Sequence, residues 1–363
     1  METGSCFMTD LEYVLEETSL NYLSDSTPGM SRTVEKDGFI FNDRNGNTIV
    51  DEKILSRIKK LAIPPAWTSV WIAPKGNAHL QATGIDQAGR KQYKYHSDWV
   101  SYRNETKYFR LLEFGSKLPE FRRNIQKDLR RKQFDERKVL AISVNMMQKT
   151  LIRIGNETYK QLYGSYGLTT LRDKHVKING SSLKLSFKGK KGVHHEIDVS
   201  DKILARLVKK CKDIPGQELF QYYTPEGDRK SIDSGKVNNY IKEISCCDFT
   251  AKDFRTWAGT MHTMKHLAEF DYPESITLKK KLIVSAIDQV AAKLGNTRAI
   301  CKKSYVFPAL LDEYENGSLL PYLQKLSKSA DVTGEKNLNH DEKILLSFLK
   351  AQKKKKMKLM AGK

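Results

Sequence analysis

The apolar pattern of this chain changes once, close to residue 100, and the change divides it into two kinds of structure. Before it, short apolar runs are separated by turn formers. Phe39-Ile40-Phe41, an Asn45-Gly46 turn and Thr48-Ile49-Val50 read as a hairpin, because Asn-Gly tolerates the positive φ angles of a tight turn. A short helix is expected over 51–61. Ile63-Pro64-Pro65-Ala66-Trp67 cannot be helical across its prolines. Further strands are expected over 70–73, 79–83 and 91–95, which completes a small antiparallel sheet.

Beyond residue 100 the spacing becomes helical. Leu140, Val144, Met147, Leu151 and Ile154 share one face and predict a single long helix over about 137–163. More helices are expected over 201–212, 234–245, 250–269 and 276–294. A hairpin interrupts them: Leu183, Leu185 and Phe187 alternate with Lys184, Ser186 and Lys188, and Gly189-Lys190-Lys191-Gly192 then turns the chain into 193–199. The expected fold class is α+β, a small antiparallel β-sheet N-terminal domain followed by a mainly α-helical domain. Its expected parts are an acidic, disordered lead-in over 1–32, the β-rich domain over 33–105, the helical domain over 106–325 and a mobile Lys-rich tail over 326–363, whose segment 342–349 is nonetheless apolar enough to dock as a short helix through Leu345, Phe348 and Leu349.

Charge narrows the partners. Lys and Arg number 63 against 43 Asp and Glu, for a formal charge of +20. Residues 1–31 hold six acids and no Lys or Arg, so the basic excess falls wholly on the rest of the chain. Nucleic acid is the commonest partner of such a body, although a merely Lys-rich protein would show the same charge. No run is long and apolar enough to span a bilayer, and no basic segment followed by an apolar core marks a leader. The five cysteines form no Cys-x-x-Cys pair and fit a reducing compartment. His194-His195-Glu196 is the one histidine cluster. Strand alternation turns its two rings to opposite faces, which argues against a metal site.

The chemistry is concentrated near 294–306. Ile283, Ile287, Val290 and Leu294 form the apolar face of a helix that Gly295 stops. Asn296 and Thr297 can cap the short basic helix that follows, and that helix delivers Tyr305. A tyrosine flanked by cations can attack a phosphodiester, whereas a tyrosine near a helix end is usually packing. Three cations would supply what the attack needs. Arg153 sits beside the apolar face of the long helix, where pairing with Glu157 at i,i+4 is the plainer explanation. Lys190 lies at the hairpin tip, where solubility ordinarily accounts for a lysine. Arg255 follows the capping box Thr250-Ala251-Lys252-Asp253, in the first turns of a helix, where the dipole slightly disfavours a cation. Upstream, Arg90-Lys91-Gln92-Tyr93-Lys94-Tyr95-His96 interleaves cations and aromatics. Lys91, Tyr93 and Tyr95 share one face, with Arg90, Gln92, Lys94 and His96 on the other. Such a strand suits phosphates and base edges, and equally suits an exposed strand rich in β-favouring tyrosines.

Seven motifs recur in the order and rough spacing of a known family. They are Ile63-Pro64-Pro65-Ala66-Trp67, Gly89-Arg90-Lys91-Gln92-Tyr93, Leu151-Ile152-Arg153-Ile154-Gly155-Asn156-Glu157, Tyr166-Gly167-Leu168-Thr169-Thr170-Leu171, Phe187-Lys188-Gly189-Lys190, Lys252-Asp253-Phe254-Arg255-Thr256-Trp257 and the run 294–305. Over about 33–322 the chain resembles the type IB DNA topoisomerases, in the short branch of poxviruses and many bacteria, with most similarity to the bacterial form. The resemblance implies a catalytic domain of the tyrosine recombinase and type IB topoisomerase kind that clamps duplex DNA together with the β domain. It implies Tyr305 as nucleophile, with Arg153, Lys190, Arg255 and Asn296 completing the site. Poxvirus-type members carry histidine at the position of Asn296. Asparagine can donate a hydrogen bond there but brings no charge.

DNA contacts are implied for Arg90, Lys91, Gln92, Tyr93, Lys94, Tyr95, Gly155, Asn156 and Tyr159. The implied activity is relaxation of supercoiled DNA through a 3′-phosphotyrosyl intermediate, with neither ATP nor a metal or other cofactor. The implied protein is a monomer acting on double-stranded DNA, away from membranes, in the cytoplasm at the nucleoid, and of bacterial or viral origin. Two other classes share part of this pattern. Tyrosine recombinases share the chemistry but carry His-x-x-Arg where this chain has Lys252-Asp253-Phe254-Arg255. A non-catalytic basic DNA-binding protein explains the charge but not the ordered nucleophile and cations.

Overall fold

The computed structural model describes residues 19–35, 38–87, 89, 91–326 and 337–361. The chain forms two compact units, Met1–Lys107 and Tyr108–Lys363, and the division falls inside a long helix. The first unit holds β1 (Met30–Glu35), β2 (Gly38–Asn42), α1 (Glu52–Lys60), β3 (Thr68–Ile72), β4 (Leu80–Ile85) and β5 (Lys91–Tyr95). These strands make one antiparallel sheet in the order β2-β1-β3-β4-β5. Asp51 caps α1 by accepting from the Lys53 amide at 2.7 Å, and Ile58 of that helix packs with Met30, Val70, Ile72 and Ala82.

Two expectations for this unit are corrected. The partner of 39–41 is β1, with Arg32 opposite Phe41, while 48–50 returns through a single bridge between Asn42 and Thr48. β1 begins inside the expected lead-in. Its Met30 is apolar enough to be buried whatever the acidity around it. Residues 19–29 are also tied down. Leu20 packs against Trp99, and the Trp71 Nε1 donates to the Thr27 carbonyl at 2.9 Å. Residues 1–18 of that lead-in lie outside the described residues.

The long helix α2 (Ser97–Leu129) leads into the second unit. It is followed by α3 (Glu136–Thr150), α4 (Glu157–Tyr163), β6 (Val176–Asn179), β7 (Ser182–Lys188) and β8 (His194–Ser200). After these come α5 (Lys202–Lys212), β9 (Gln221–Tyr223), β10 (Arg229–Ser231), α6 (Ser234–Ser245), α7 (Ala251–Leu267), α8 (Ile276–Leu294), α9 (Arg298–Tyr305), α10 (Pro308–Glu315), α11 (Leu320–Leu323) and α12 (His340–Ala361). The expected hairpin is β7–β8, with β6 as a third strand that the alternation did not mark. One continuous core joins the helices to this sheet.

The single helix expected over 137–163 is two helices. Leu151 adopts a left-handed backbone (φ 56°) that closes α3, and Gly155 (φ 91°) turns the chain into α4. Ile154 still packs against the core, so the apolar spacing persists through a stretch that is not helical.

The tail expected to be mobile is also different. In α12, Ile344, Leu345, Phe348 and Leu349 are buried, at a spacing that gives the helix an apolar face. Glu342 and Arg122 form a buried two-bond pair at 2.7 and 2.8 Å, and Lys355 bonds Glu313 at 2.7 Å. Residues 327–336 lie outside the described residues.

Candidate active site

Arg153 is carried by the connector between α3 and α4, not by a helix face. The motif 166–171 holds that connector in place. Leu168 N donates to the Arg153 carbonyl and Thr169 N to the Ile154 carbonyl, both at 2.8 Å. Gly167 permits this approach, since a Cβ there would come 2.6 Å from the Gly155 Cα. Arg153 does not pair with Glu157, which bonds Lys160 instead at 2.9 Å. Its guanidinium donates to the Gly295 carbonyl at 3.1 Å and to the Asn296 Oδ1.

Arg255 projects from the second turn of α7. Asp253 fixes the start of that helix by accepting from the Thr250 amide at 2.7 Å and from Arg110 of α2 through two bonds at 2.7 and 2.9 Å. Arg255 is only 3% exposed. It donates to the Leu294 carbonyl at 2.8 Å and to the Leu151 carbonyl. Its guanidinium carbon lies 4.9 Å from the centre of the Tyr305 ring. Tyr305 ends α9, and its backbone runs tight against α7 because Gly259 has no Cβ to obstruct the Tyr305 carbonyl.

Asn296 is placed by the end of α8. Gly295 is left-handed (φ 59°), and the Asn296 amide reaches back to the Ala291 carbonyl at 2.8 Å, closing the helix. The Asn296 Oδ1 is taken by Arg153, while its Nδ2 and the Nε of Arg255 are buried without a hydrogen-bond partner. Buried donors left unbonded cost free energy, so both are poised for an acceptor that arrives from outside. Lys190 is exposed at the β7–β8 turn, its ammonium 5.1 Å from the centre of the Tyr159 ring.

The charges act on the phenol. Burial by itself raises the Tyr305 pKa, but attraction from Arg255, hydrogen bonding with it, and the further charges of Arg153 and Lys252 outweigh burial and bring it below the ordinary tyrosine value. Burial also lowers the Arg255 pKa, though an arginine keeps its charge. A phenol eased toward its anion beside fixed guanidiniums is suited to attack a phosphorus centre and to stabilise the oxygens around it.

The remaining expected positions divide between the units. Arg90 lies outside the described residues. On the edge strand β5, Lys91 and Tyr93 are exposed, and Tyr93 and Tyr95 stack at 6.0 Å. Lys91 pairs with Asp25 at 2.5 Å, Gln92 donates to Asp86 at 2.8 Å, and Lys94 is half-buried. In the second unit, Gly155 turns the connector, Asn156 caps α4 by accepting from the Tyr159 amide at 3.3 Å, and Tyr159 carries Lys190 on its ring. Sequence reasoning did not assign roles to Leu151, Gly167 or Gly259. The close pair of glycines at 155 and 167 was the one available signal. Among the described residues no cluster of three or more His, Cys, Asp or Glu could hold a metal, and no helix is long and apolar enough to cross a membrane.

A half-buried phenol beside two guanidiniums is an arrangement suited to phosphoryl transfer through tyrosine. Comparison with known proteins gives the family. The family described as eukaryotic DNA topoisomerase I, catalytic core, matches residues 92–328, and the bacterial DNA topoisomerase IB N-terminal domain matches 38–86. DNA topoisomerase 1B of Acanthamoeba polyphaga mimivirus is 32% identical over 326 residues, covering 85% of this chain and 97% of that protein. DNA topoisomerase 1B of vaccinia virus (strain Copenhagen) is 27% identical over 310 residues, 80% of this chain and 92% of that protein. The chain belongs to the type IB DNA topoisomerase family, isomerases whose substrate is DNA.

Proposed function

We propose that Tyr305 attacks a DNA phosphodiester and that Arg153, Arg255, Asn296 and Lys190 complete the reaction. The phenolate oxygen bonds to phosphorus and the bond to the 5′-oxygen breaks. Lys190 gives its proton to the departing oxygen, leaving a 3′-phosphotyrosyl link. The two guanidiniums and the free Asn296 amide bind the non-bridging oxygens as charge builds on them. Religation runs the same steps in reverse. Because the phosphotyrosyl link keeps the energy of the phosphodiester, relaxation needs no ATP. The observation that carries this reading is the Arg255 guanidinium held over the Tyr305 ring by two backbone carbonyls.

The second unit is thus the catalytic domain. Both units contact double-stranded DNA, the first through Lys91, Gln92, Tyr93, Lys94, Tyr95 and Arg90, and the second through Gly155, Asn156 and Tyr159. The protein works as a monomer, in the cytoplasm at the nucleoid. The test is Tyr305→Phe, which removes one oxygen. Detergent trapping should give a covalent protein–DNA adduct for the wild type and none for the variant, with duplex affinity retained. An adduct of undiminished yield in Tyr305→Phe would place the nucleophile elsewhere. Plasmid relaxation in EDTA without ATP tests the cofactor statement, and a strict Mg²⁺ requirement would defeat it.

A further inference from the structure

His195 is not used by the reaction above, yet it touches two parts of the site. It lies on β8 opposite Phe187 of β7, and the two rings stack at 5.0 Å with 18° between their planes. Two glycines close on the free edges of the imidazole. A Cβ at Gly189 would come 2.6 Å from its Cδ2 and Nε2, and a Cβ at Gly295 would collide with its Cε1. Gly189 has φ −92°, a backbone any residue adopts, so the turn itself does not demand glycine there. The ring does. Gly189 immediately precedes Lys190, and Gly295 immediately precedes Asn296.

We infer that His195 is a positioning residue that braces the Lys190 turn against the helix end at Gly295. The ring fills the gap between two backbones, at Gly189 where the turn does not require glycine and at Gly295 where the left-handed helix end already does. Burial, and then the positive charges of Arg153 and Arg255, lower its pKa from the ordinary histidine value, so it serves as a neutral spacer beside two guanidiniums. This deepens the proposed function, resting on it for the use made of Lys190 but not for the coupling between the two residues.

The test is a double-mutant cycle on the full chain, read by single-turnover cleavage of a duplex. His195→Ala is expected to slow cleavage roughly 10-fold or more, because small displacements of a reacting group are costly. In a Lys190→Ala background the same change should cost less than about twofold, since no ammonium is left to misplace. Losses that multiply would overturn the inference, as would an unslowed His195→Ala. His195→Gln supplies a planar, neutral side chain of similar reach and should recover most of the rate lost in His195→Ala. A glutamine variant no faster than alanine would refute the spacer role. Should His195→Ala fail to fold, the cycle is run with His195→Leu, whose branched, non-planar side chain fills the gap poorly, and the coupling to Lys190 must appear there. A substrate with sulfur at the 5′ leaving position judges Lys190 separately. If it fails to rescue Lys190→Ala, the general-acid assignment falls, while the measured coupling still decides the role of His195.

Discussion

The carbonyl of Leu151 accepts a hydrogen bond from Arg255. Leu151 is also the residue whose left-handed backbone ends α3 and releases the connector that carries Arg153. One break in a helix therefore sets both arginines. A non-glycine residue in that conformation costs about 1–2 kcal/mol, a strain the buried carbonyl contact offsets.

Arg255→Lys should not preserve function. A lysine cannot donate to the Leu151 and Leu294 carbonyls and still spread charge across a phosphate. Single-turnover cleavage is expected to fall roughly 10²–10³-fold, the usual cost of one transition-state donor, with duplex affinity little changed. Activity within a few-fold of wild type would mean that charge alone suffices there.

The cleavage rate should depend on pH through Tyr305. The attacking form is the phenolate, so the rate rises with pH while the phenol is protonated and levels off above its pKa. That pKa lies below the ordinary tyrosine value of 10.0, hence the plateau is expected to begin below pH 10. Removing Arg255 leaves burial less opposed, and the midpoint should move upward in Arg255→Ala. A midpoint identical in the two proteins would show that Arg255 does not govern the phenol.

Glu342→Ala should destabilise the protein although it lies far along the sequence from the site residues. Arg122 and Glu342 are 5% and 0% exposed, and the change strands a buried guanidinium. The expected loss is about 3–5 kcal/mol by urea unfolding. Arg122→Met combined with Glu342→Leu should restore much of it, because the uncompensated charge is gone. Wild-type stability in Glu342→Ala would show that α12 is not held by this pair.

Acid should weaken the fold through His175. Burial, then Lys174 and Arg172, lower its folded pKa from 6.5 to about 4. Between those values the unfolded chain binds a proton that the folded one does not. Stability is thus intact above pH 6.5 and falls as pH drops toward 4, by at most about 1.4 kcal/mol per pH unit from this group. His262, lowered to about 3 by burial, adds a loss of the same sign. In His175→Gln the fall of melting temperature across this window should be shallower. An equal slope would place the acid sensitivity elsewhere.

The sequence by itself determined the elements whose signal is local. The period-two alternation of 183–199 gives the hairpin, Asp51 and Thr250 mark helix starts, and Gly295 marks a helix end that the structure closes at the expected residue. The candidate chemical residues were legible through the ordered motifs that carry the family resemblance, since each cation taken alone has an ordinary explanation. Pairings across the chain were not legible. β1 joins the sheet between β2 and β3, with Met30 buried opposite Ile72, a pairing that no local pattern marks. The helix expected through 137–163 breaks because the backbone at 151–155 gains bonds to 166–171 that no local propensity encodes. The lysines of the tail advertised solvation, while Glu342, Leu345 and Phe348 found a buried surface made by distant segments. Tertiary structure also decided what each cation does. Arg153 exchanges Glu157 for Asn296, and Arg255 meets Tyr305, because hydrogen bonds and desolvation act between groups that only the folded chain brings together.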